Sequence, residues 1–204
     1  NRKQIDIDLI KICKKIANQL PNLNQLMNNE DFTELNNSKK AAILRNILND
    51  QANQAAIQRI QDLDLSGLFL KTLPDELNLF TGLTTLSLWR NNLTALPVGF
   101  LNNARVLKTL SLMDNKLETL PVGFLNNATA LKNLNLNGTQ LTALPIGFLN
   151  NATALETLCL NDNKLTALPA NFLDDARSLE RLWLDNNKLT TLPIGDSLLK
   201  RSYI

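Results

Sequence analysis

The sequence contains no histidine among its 204 residues. Histidine is the commonest general base and supplies the imidazole ligands of zinc, so its absence removes Ser-His and Cys-His nucleophile pairs and most zinc sites. The sequence also lacks a glycine-rich phosphate-binding loop and a convergent pair of acidic residues. We therefore predict no catalytic residues, no metal site, no cofactor and no enzymatic activity within this chain.

The sequence also has no large excess of positive or negative charge and no long hydrophobic run. The formal net charge is +2, and the longest basic run, residues 11–15, is interrupted by Ile12 and Cys13, as on the solvated face of a helix. Binding of nucleic acid normally requires a basic stripe, which the sequence lacks. No stretch approaches the roughly 20 apolar residues that cross a bilayer. We expect a monomer with neither a nucleic-acid partner nor a membrane span.

Cysteine is nearly absent, since the chain has only Cys13 and Cys159, which lie far apart in the sequence. This separation does not suggest a disulfide. Cys159 has no histidine or basic cluster beside it that would lower the pKa of its thiol. We interpret it as a small apolar residue rather than a reactive nucleophile.

A period of 24 residues dominates the chain from Leu83 onward. One unit, residues 83–97, has the pattern LxxLxLxxNxLxxLP, and the next four units open at residues 107, 131, 155 and 179. A single unit cannot bury its leucines alone, but stacked units bury them as one apolar column. The LxLxx stretch predicts a short strand whose alternation sends Leu86 and Leu88 inward while Ser87 and Trp89 point outward.

This spacing, with asparagine at the ninth position and proline at the fifteenth, resembles the leucine-rich repeat of the 24-residue class. The resemblance covers roughly residues 60–193 and implies an α/β fold, a right-handed leucine-rich-repeat solenoid with a parallel concave sheet. We expect an α-helical N-terminal cap over residues 1–59 and an array of about six units over residues 60–195, the first and last atypical. Residues 196–204 are either a short C-terminal cap or a truncated end.

The first sixty residues lack the repeat and show helical spacing instead. Pro21 is expected to end the first helix, and a short second helix follows it. Ser38 is expected to N-cap a third helix, and Asp50 or Asn53 a fourth that leads into the first strand. We predict a bundle of about four helices that seals the N-terminal end of the array.

Two further columns are interpreted as structural. In the family, the asparagine at position nine turns inward and bonds the backbone where the chain leaves the strand. Thr139 replaces it in the third full unit and offers only one hydroxyl. The ladder of hydrogen bonds that these asparagines form along the array is therefore predicted to be weaker there. A phenylalanine column is expected to pack the convex side. The asparagine column consists of Asn91, Asn115, Asn163 and Asn187, and the phenylalanine column consists of Phe100, Phe124, Phe148 and Phe172.

Positions three, five, seven and eight are not fixed by the repeat, so they are expected to carry the functional information. Trp89 and Trp183 are predicted to project from the concave face, where tryptophan and arginine form interface hot spots. The alternative is that each tryptophan only packs over its neighbours. The predicted partner-binding residues are Trp89, Arg90, Met113, Asp114, Asn137, Asn161, Asp162, Arg181, Trp183 and Asp185.

The size of this face favours a protein or peptide ligand. Six strands give a wall of roughly 25–30 Å, which fits a patch of about 800 Å². Such a wall is too open for a small-molecule pocket. The carboxylates of Asp114, Asp162 and Asp185 stand in separate units, which does not favour the convergence that calcium requires.

The leading interpretation is a non-catalytic module through which a bacterial effector binds a host protein. It rests on the asparagine-rich composition, on the lack of the cysteine-rich caps usual in extracellular animal members of the family, and on a softer resemblance of residues 38–68 to leucine-rich-repeat proteins of intracellular bacteria. We expect secretion from a bacterium into the host cytosol, or alternatively display on the bacterial surface. The alternatives are the substrate-recognition region of a larger enzyme, such as a ubiquitin ligase, and a surface-exposed adhesin.

Overall fold

The computed structural model describes residues 2–170 and 172–191, and within them an N-terminal group of helices precedes a solenoid. The predicted array residues 192–195 and the predicted C-terminal end, residues 196–204, lie outside the described residues. The helices are α1 (Arg2–Ile16), α2 (Pro21–Met27), α3 (Glu30–Glu34), α4 (Asn37–Asn49) and α5 (Gln51–Gln58), with a 3₁₀ turn at Ala17–Gln19.

The prediction for Pro21 was wrong. The first helix ends at Ile16 and continues as the 3₁₀ turn, while Pro21 is the first residue of α2. Proline is favoured there because the first turn of a helix leaves its N–H groups unbonded in any case. The proline therefore marks a helix start, and the described part of the cap has five α-helices rather than about four.

The prediction that Ser38 caps the third helix was also wrong. Asn36 precedes α4, and its Oδ1 accepts a hydrogen bond of 3.0 Å from the backbone N–H of Lys39. Of the two candidates for the following helix, Asp50 caps α5 by accepting from the N–H of Ala52 at 2.8 Å. Asn53 lies inside α5. Short polar side chains at the N-cap satisfy donors that the helix leaves free.

Six parallel strands follow in sequential order and form one sheet. Their register pairs equivalent positions of successive units, as in the contacts Leu63–Leu86 and Leu86–Leu110. The central leucine of every strand is buried, and the flanking residues are more exposed. The predicted α/β solenoid with a parallel sheet is confirmed. The strands are β1 (Asp62–Asp64), β2 (Thr85–Ser87), β3 (Thr109–Ser111), β4 (Asn133–Asn135), β5 (Thr157–Cys159) and β6 (Arg181–Trp183).

Leucine and phenylalanine columns form the core of the array. The phenylalanines of four units are between 1% and 4% exposed. The rings of Phe148 and Phe172 stack with their centroids 6.5 Å apart and an interplanar angle of 5°. The phenylalanine column is thus a core feature, while the division of the chain at residues 59 and 60 stays a prediction.

Asparagine side chains join successive units at position nine. Nδ2 of Asn91 donates to the carbonyls of Leu65 and Leu88, each at 2.9 Å, so one amide ties its own unit to the preceding one. Its Oδ1 accepts from the N–H of Leu70 at 2.9 Å. Three further asparagines repeat this arrangement: Asn115, Asn163 and Asn187.

Thr139 interrupts this ladder. Its hydroxyl lies 2.9 Å from the carbonyl oxygen of Leu136 and 2.8 Å from Oδ1 of Asn163, and it can donate its single proton to only one of them. Among the described residues, its side chain makes no bond back to the preceding unit. The predicted weaker position of the ladder is therefore present between the third and fourth units of the sheet.

The cap and the first unit meet through the carboxylate of Asp8. This residue of α1 is fully buried, and its Oδ2 accepts from the N–H groups of Lys71 and Thr72 and from the Thr72 hydroxyl, at 2.9 to 3.0 Å. These three hydrogen bonds offset the free-energy cost of burying the carboxylate. These bonds fix α1 against the loop that follows β1.

Two other contacts complete the same junction. Arg45 of α4 bonds Asp6 and Glu76, each at 2.8 Å, so it links two helices of the cap to the first unit. Gly82 lies against the end of α5, where a Cβ on the glycine would stand 1.9 Å from the carbonyl oxygen of Gln58. Only a residue without a side chain fits at this point.

Candidate interaction surface

The outward side chains of the six strands, together with those of two residues shortly after each strand, form one surface, which we call the strand wall. It comprises positions three, five, seven and eight of each unit. Its members are Asp62, Asp64, Ser66, Gly67, Thr85, Ser87, Trp89, Arg90, Thr109, Ser111, Met113, Asp114, Asn133, Asn135, Asn137, Gly138, Thr157, Cys159, Asn161, Asp162, Arg181, Trp183, Asp185 and Asn186.

Position eight has the same left-handed backbone in all six units. The φ angle is 53° at Asp114 and 55° at Asp162, and glycines occupy the position in two other units. Aspartate, asparagine and glycine tolerate this conformation because their side chains are short or absent. Arg90, with φ 52°, is the exception among these residue types. Its backbone N–H donates to the carbonyl of Met113 at 3.0 Å, the same bond to the next unit that the N–H of Asp114 makes, so the repeat holds this backbone conformation. The long side chain of Arg90 also contacts two neighbours.

Those contacts form a cluster with Trp89 and Asp114. The guanidinium of Arg90 lies over the Trp89 ring, with Cζ 4.5 Å from the centroid, and its Nε is 3.7 Å from Oδ2 of Asp114. Nε1 of Trp89 donates to the same carboxylate oxygen at 3.2 Å. Sequence reasoning grouped these three residues on one face, and the structure brings them into contact. Because Arg90 covers one face of the indole, the packing alternative also holds in part for Trp89.

A second cluster surrounds the carboxylate of Asp162. Nδ2 of Asn161 donates to its Oδ2 at 2.8 Å, and Nδ2 of Asn137 donates to the same oxygen at 3.1 Å. Nδ2 of Asn186 donates to Oδ1 at 2.8 Å. These amides fix the position of the carboxylate without neutralising its charge, and within the described part of the chain no lysine or arginine pairs with it. Asn186 was not among the predicted binding residues, although it occupies position eight like Asp162.

The middle of the wall is rich in amides. Nδ2 of Asn135 lies 3.7 Å from the sulfur of Met113, and Oδ1 of Asn135 accepts from the N–H of Asn137 at 3.0 Å. Asn135 was not among the predicted binding residues, although Met113 and Asn137, which it contacts, were. Its place at position five of the fourth strand, where alternation sends side chains outward, was the available signal for its position on the wall.

Trp183 stands apart from Trp89. It lies at position five of β6, half-buried, and pairs in register with Cys159. Four strand spacings separate β2 from β6, about 19 Å, so the two indoles belong to different ends of the wall. No described residue bonds the indole N–H of Trp183, and Arg181 and Asp185 beside it are exposed.

Neither cysteine has an activated thiol. Burial raises the pKa of Cys159, which is half-buried on the wall. Burial, assisted by the charge of Glu76, raises the pKa of the Cys13 thiol in the cap to about 12. Both thiols are therefore protonated at neutral pH, whereas the nucleophilic form of cysteine is the thiolate. Among residues 2–170 and 172–191, no three Cys, Asp or Glu side chains converge to hold a metal ion.

Comparison with known proteins identifies the family. A family model described as "Leucine rich repeat" matches residues 81–128 and 129–189, which together are more than half of the chain. The chain belongs to the leucine-rich-repeat family. The recognition made from the 24-residue period is thereby confirmed, whereas the likeness to effectors of intracellular bacteria stays a prediction.

A solved structure shares the architecture of this leucine-rich-repeat protein. The crystal structure of the APL1 leucine-rich repeat domain matches with a TM-score of 0.62 and 25% sequence identity, over 68% of this chain and 36% of that chain. The chain therefore spans about a third of the length of this structural relative. No curated protein sequence matches it significantly. None of the helices in the described residues is long and apolar enough to cross a bilayer.

Proposed function

We propose that this leucine-rich-repeat protein is a non-catalytic module that binds a host protein through its strand wall, as an effector secreted by a bacterium into the host cytosol. Domains of this family are typically interaction modules rather than enzymes. The observation that carries the proposal is the arrangement of Trp89, whose indole is held by Asp114 and Arg90 before any partner arrives. An aromatic side chain ordered in this way loses little conformational entropy on binding.

The extent of the wall supports a protein as the partner. Six strands at about 4.8 Å give a surface about 24 Å long, with Trp89 near one end and Trp183 at the other. A protein partner can contact both tryptophans together, whereas a small molecule reaches only one. Both side chains are half-buried, so each still has surface to lose on binding.

Affinity capture from lysates of animal and amoebal cells tests the proposal. The wild-type chain is compared with the double variant Trp89→Ala and Trp183→Ala, and captured proteins are identified by mass spectrometry. We expect the double variant to lose capture by at least tenfold, because a hot-spot residue contributes about 2 kcal/mol or more.

The matched control is the double variant Val98→Ala and Val122→Ala. These valines are 89% and 85% exposed but lie outside the strand wall, so their removal changes apolar surface elsewhere. Circular dichroism checks that both variants keep the fold. Equal capture by the tryptophan variant and the wild type would contradict the proposal.

A further inference from the structure

The strand wall carries a charge opposite in sign to that of the chain. The chain as a whole has a formal net charge of +2. The charged members of the wall are five aspartates and two arginines, an excess of three negative charges, with no lysine or glutamate among them. Charge complementarity across an interface selects partners and raises the association rate. The wall therefore favours a basic partner and disfavours an acidic one.

Arg90 shows how this wall holds a guanidinium group. One face of the Trp89 indole contacts the guanidinium, whose Cζ lies 4.5 Å from the ring centroid, and the carboxylate of Asp114 lies 3.7 Å from Nε. A planar guanidinium suits this combination because it stacks on aromatic faces and pairs with carboxylates. The side chain of Arg90 is nevertheless 67% exposed, so the pair stands at the surface.

The other end of the wall also has an indole and carboxylates, but no guanidinium stacks on this indole among the described residues. Trp183 presents an indole, Asp185 follows it by two residues, and Asp162 stands in the preceding unit. Three amides orient the carboxylate of Asp162, and the backbone N–H of Asp162 bonds the carbonyl of Asp185 at 3.0 Å. Among the described residues, no arginine stacks on Trp183, although Arg181 lies in the same strand.

We propose that the strand wall binds a basic segment of the partner protein, and that an arginine of this segment docks against Trp183 and the carboxylates of Asp162 and Asp185. The proposal rests on the proposed function and specifies the chemistry of its partner. The docked guanidinium would stack on an indole and pair with carboxylates, as that of Arg90 does with Trp89 and Asp114, although Trp183 stands at position five of its unit and Trp89 at position seven. The amide-rich centre of the wall, which includes Asn135 and Asn137, supplies donors and acceptors for the backbone of an extended segment.

Binding of short peptides to the purified chain tests this inference. The probes are four fluorescein-labelled peptides of about ten residues, in which arginine, lysine, glutamine or glutamate alternates with glycine; extended, each spans about 33 Å and crosses the whole wall. Fluorescence anisotropy measures affinity. We expect the arginine peptide to bind most tightly and the lysine peptide about threefold more weakly, since an ammonium group stacks and pairs less well.

Variants of the chain locate the binding. We expect Trp183→Ala to weaken binding of the arginine peptide by roughly tenfold, and the double variant Asp162→Asn and Asp185→Asn by at least as much. The control Asp174→Asn removes an exposed carboxylate outside the wall and should change affinity less than about twofold. Raising the salt from 0.1 M to 1 M shortens the Debye length from about 10 Å to about 3 Å and should weaken binding of the arginine peptide.

The outcomes separate this inference from the proposed function. If the glutamate or glutamine peptide binds as tightly as the arginine peptide, and Trp183→Ala abolishes that binding, the wall is an interaction surface but its preference for basic partners is refuted. The preference is also refuted if the aspartate double variant keeps full affinity, or if the arginine peptide shows no binding at millimolar concentration. The proposed function depends on neither result, since its test uses whole proteins from a lysate.

Discussion

The helical cap and the repeat array are stabilised in different ways. In the array, the asparagine at position nine makes the same bonds in four units, as Asn91 and Asn115 do with the leucine carbonyls of their own and the preceding unit. In the cap, the decisive polar contacts occur once each, at Asp8 and Arg45. The array is thus modular, whereas the cap depends on single residues that have no counterpart elsewhere.

This difference predicts where the molecule is most vulnerable. In a solenoid each unit contacts only its neighbours, so a local defect is confined to one interface. The interface between the cap and the first unit combines the buried carboxylate of Asp8, the bridge through Arg45 and the close approach at Gly82. A change at this junction should therefore cost more than the equivalent change inside the array.

The largest effect is expected from Gly82→Ala. The added Cβ would stand 1.9 Å from the carbonyl oxygen of Gln58, which is backbone and has no rotamer to adopt, so the end of α5 must shift. We expect the free energy of unfolding to fall by about 2–4 kcal/mol, as for overpacked sites. Urea denaturation followed by tryptophan fluorescence measures the change.

The control for this substitution is Val106→Ala in the array. Val106 occupies the corresponding position one unit later and is 46% exposed, so the array accepts a side chain where the junction does not. Its truncation should cost less than about 1 kcal/mol. Equal losses for the two variants would show that the junction is no more sensitive than the array.

A smaller effect, of opposite sign, is expected from Thr139→Asn. An asparagine at this position provides the missing donors to the preceding unit and an acceptor for the N–H of Leu117, as Asn115 does for Leu93. We expect the free energy of unfolding to rise by about 1 kcal/mol, the typical net worth of a hydrogen bond. Thermal or urea denaturation measures the gain.

The reverse substitution, Asn115→Thr, provides the comparison within the same ladder. It removes the bonds of Nδ2 to Leu88 and of Oδ1 with Leu93, leaving buried backbone groups unbonded, and should cost about 1–3 kcal/mol. Position 139 is fully buried, so a destabilised Thr139→Asn variant would mean that the extra side-chain volume outweighs the restored bonds.

The array could be predicted from sequence more fully than the cap, for a physical reason. When the same pattern recurs over several units, each position is assigned from several residues rather than one. The leucine columns, the strand positions and the missing asparagine at Thr139 could therefore be predicted from the sequence. In the cap, Asn36 and Ser38 are both good capping residues, and the choice depends on which side chain reaches a free backbone N–H. One sequence does not decide between two such neighbours.

The site was predicted as a surface but not as a set of contacts. Outward positions follow from strand alternation, which placed Trp89 and Asp162 on the wall. The contacts depend on which side chains of adjacent units meet, such as Trp89 with Asp114, 25 residues apart. Gly82 did leave a signal, because the array has larger side chains at the corresponding positions: Val106, Ala130, Ala154 and Ser178.

Labelling of the two thiols compares how readily the cap and the array open. Cys13 is fully buried in the cap and Cys159 is half-buried on the wall, and burial raises the pKa of both. Because thiolate is the reactive form, a thiol reagent at pH 8 should modify Cys159 slowly and Cys13 only when the cap opens. Mass spectrometry of the labelled chain over time separates the two rates.

The same experiment shows whether the cap opens independently of the array. The Cys13 thiol has a pKa of about 12 in the fold against 9.0 when unperturbed, so its contribution to stability is complete below pH 9 and is lost as the pH rises toward 12. At pH 8, below both values, ionisation of this thiol changes the free energy of unfolding little, so an effect of Gly82→Ala is attributed to the junction. We expect that variant to accelerate labelling of Cys13 by more than tenfold while Cys159 keeps its wild-type rate. Equal acceleration at both thiols would mean that cap and array open as one cooperative unit, because only then does a defect at the junction reach β5.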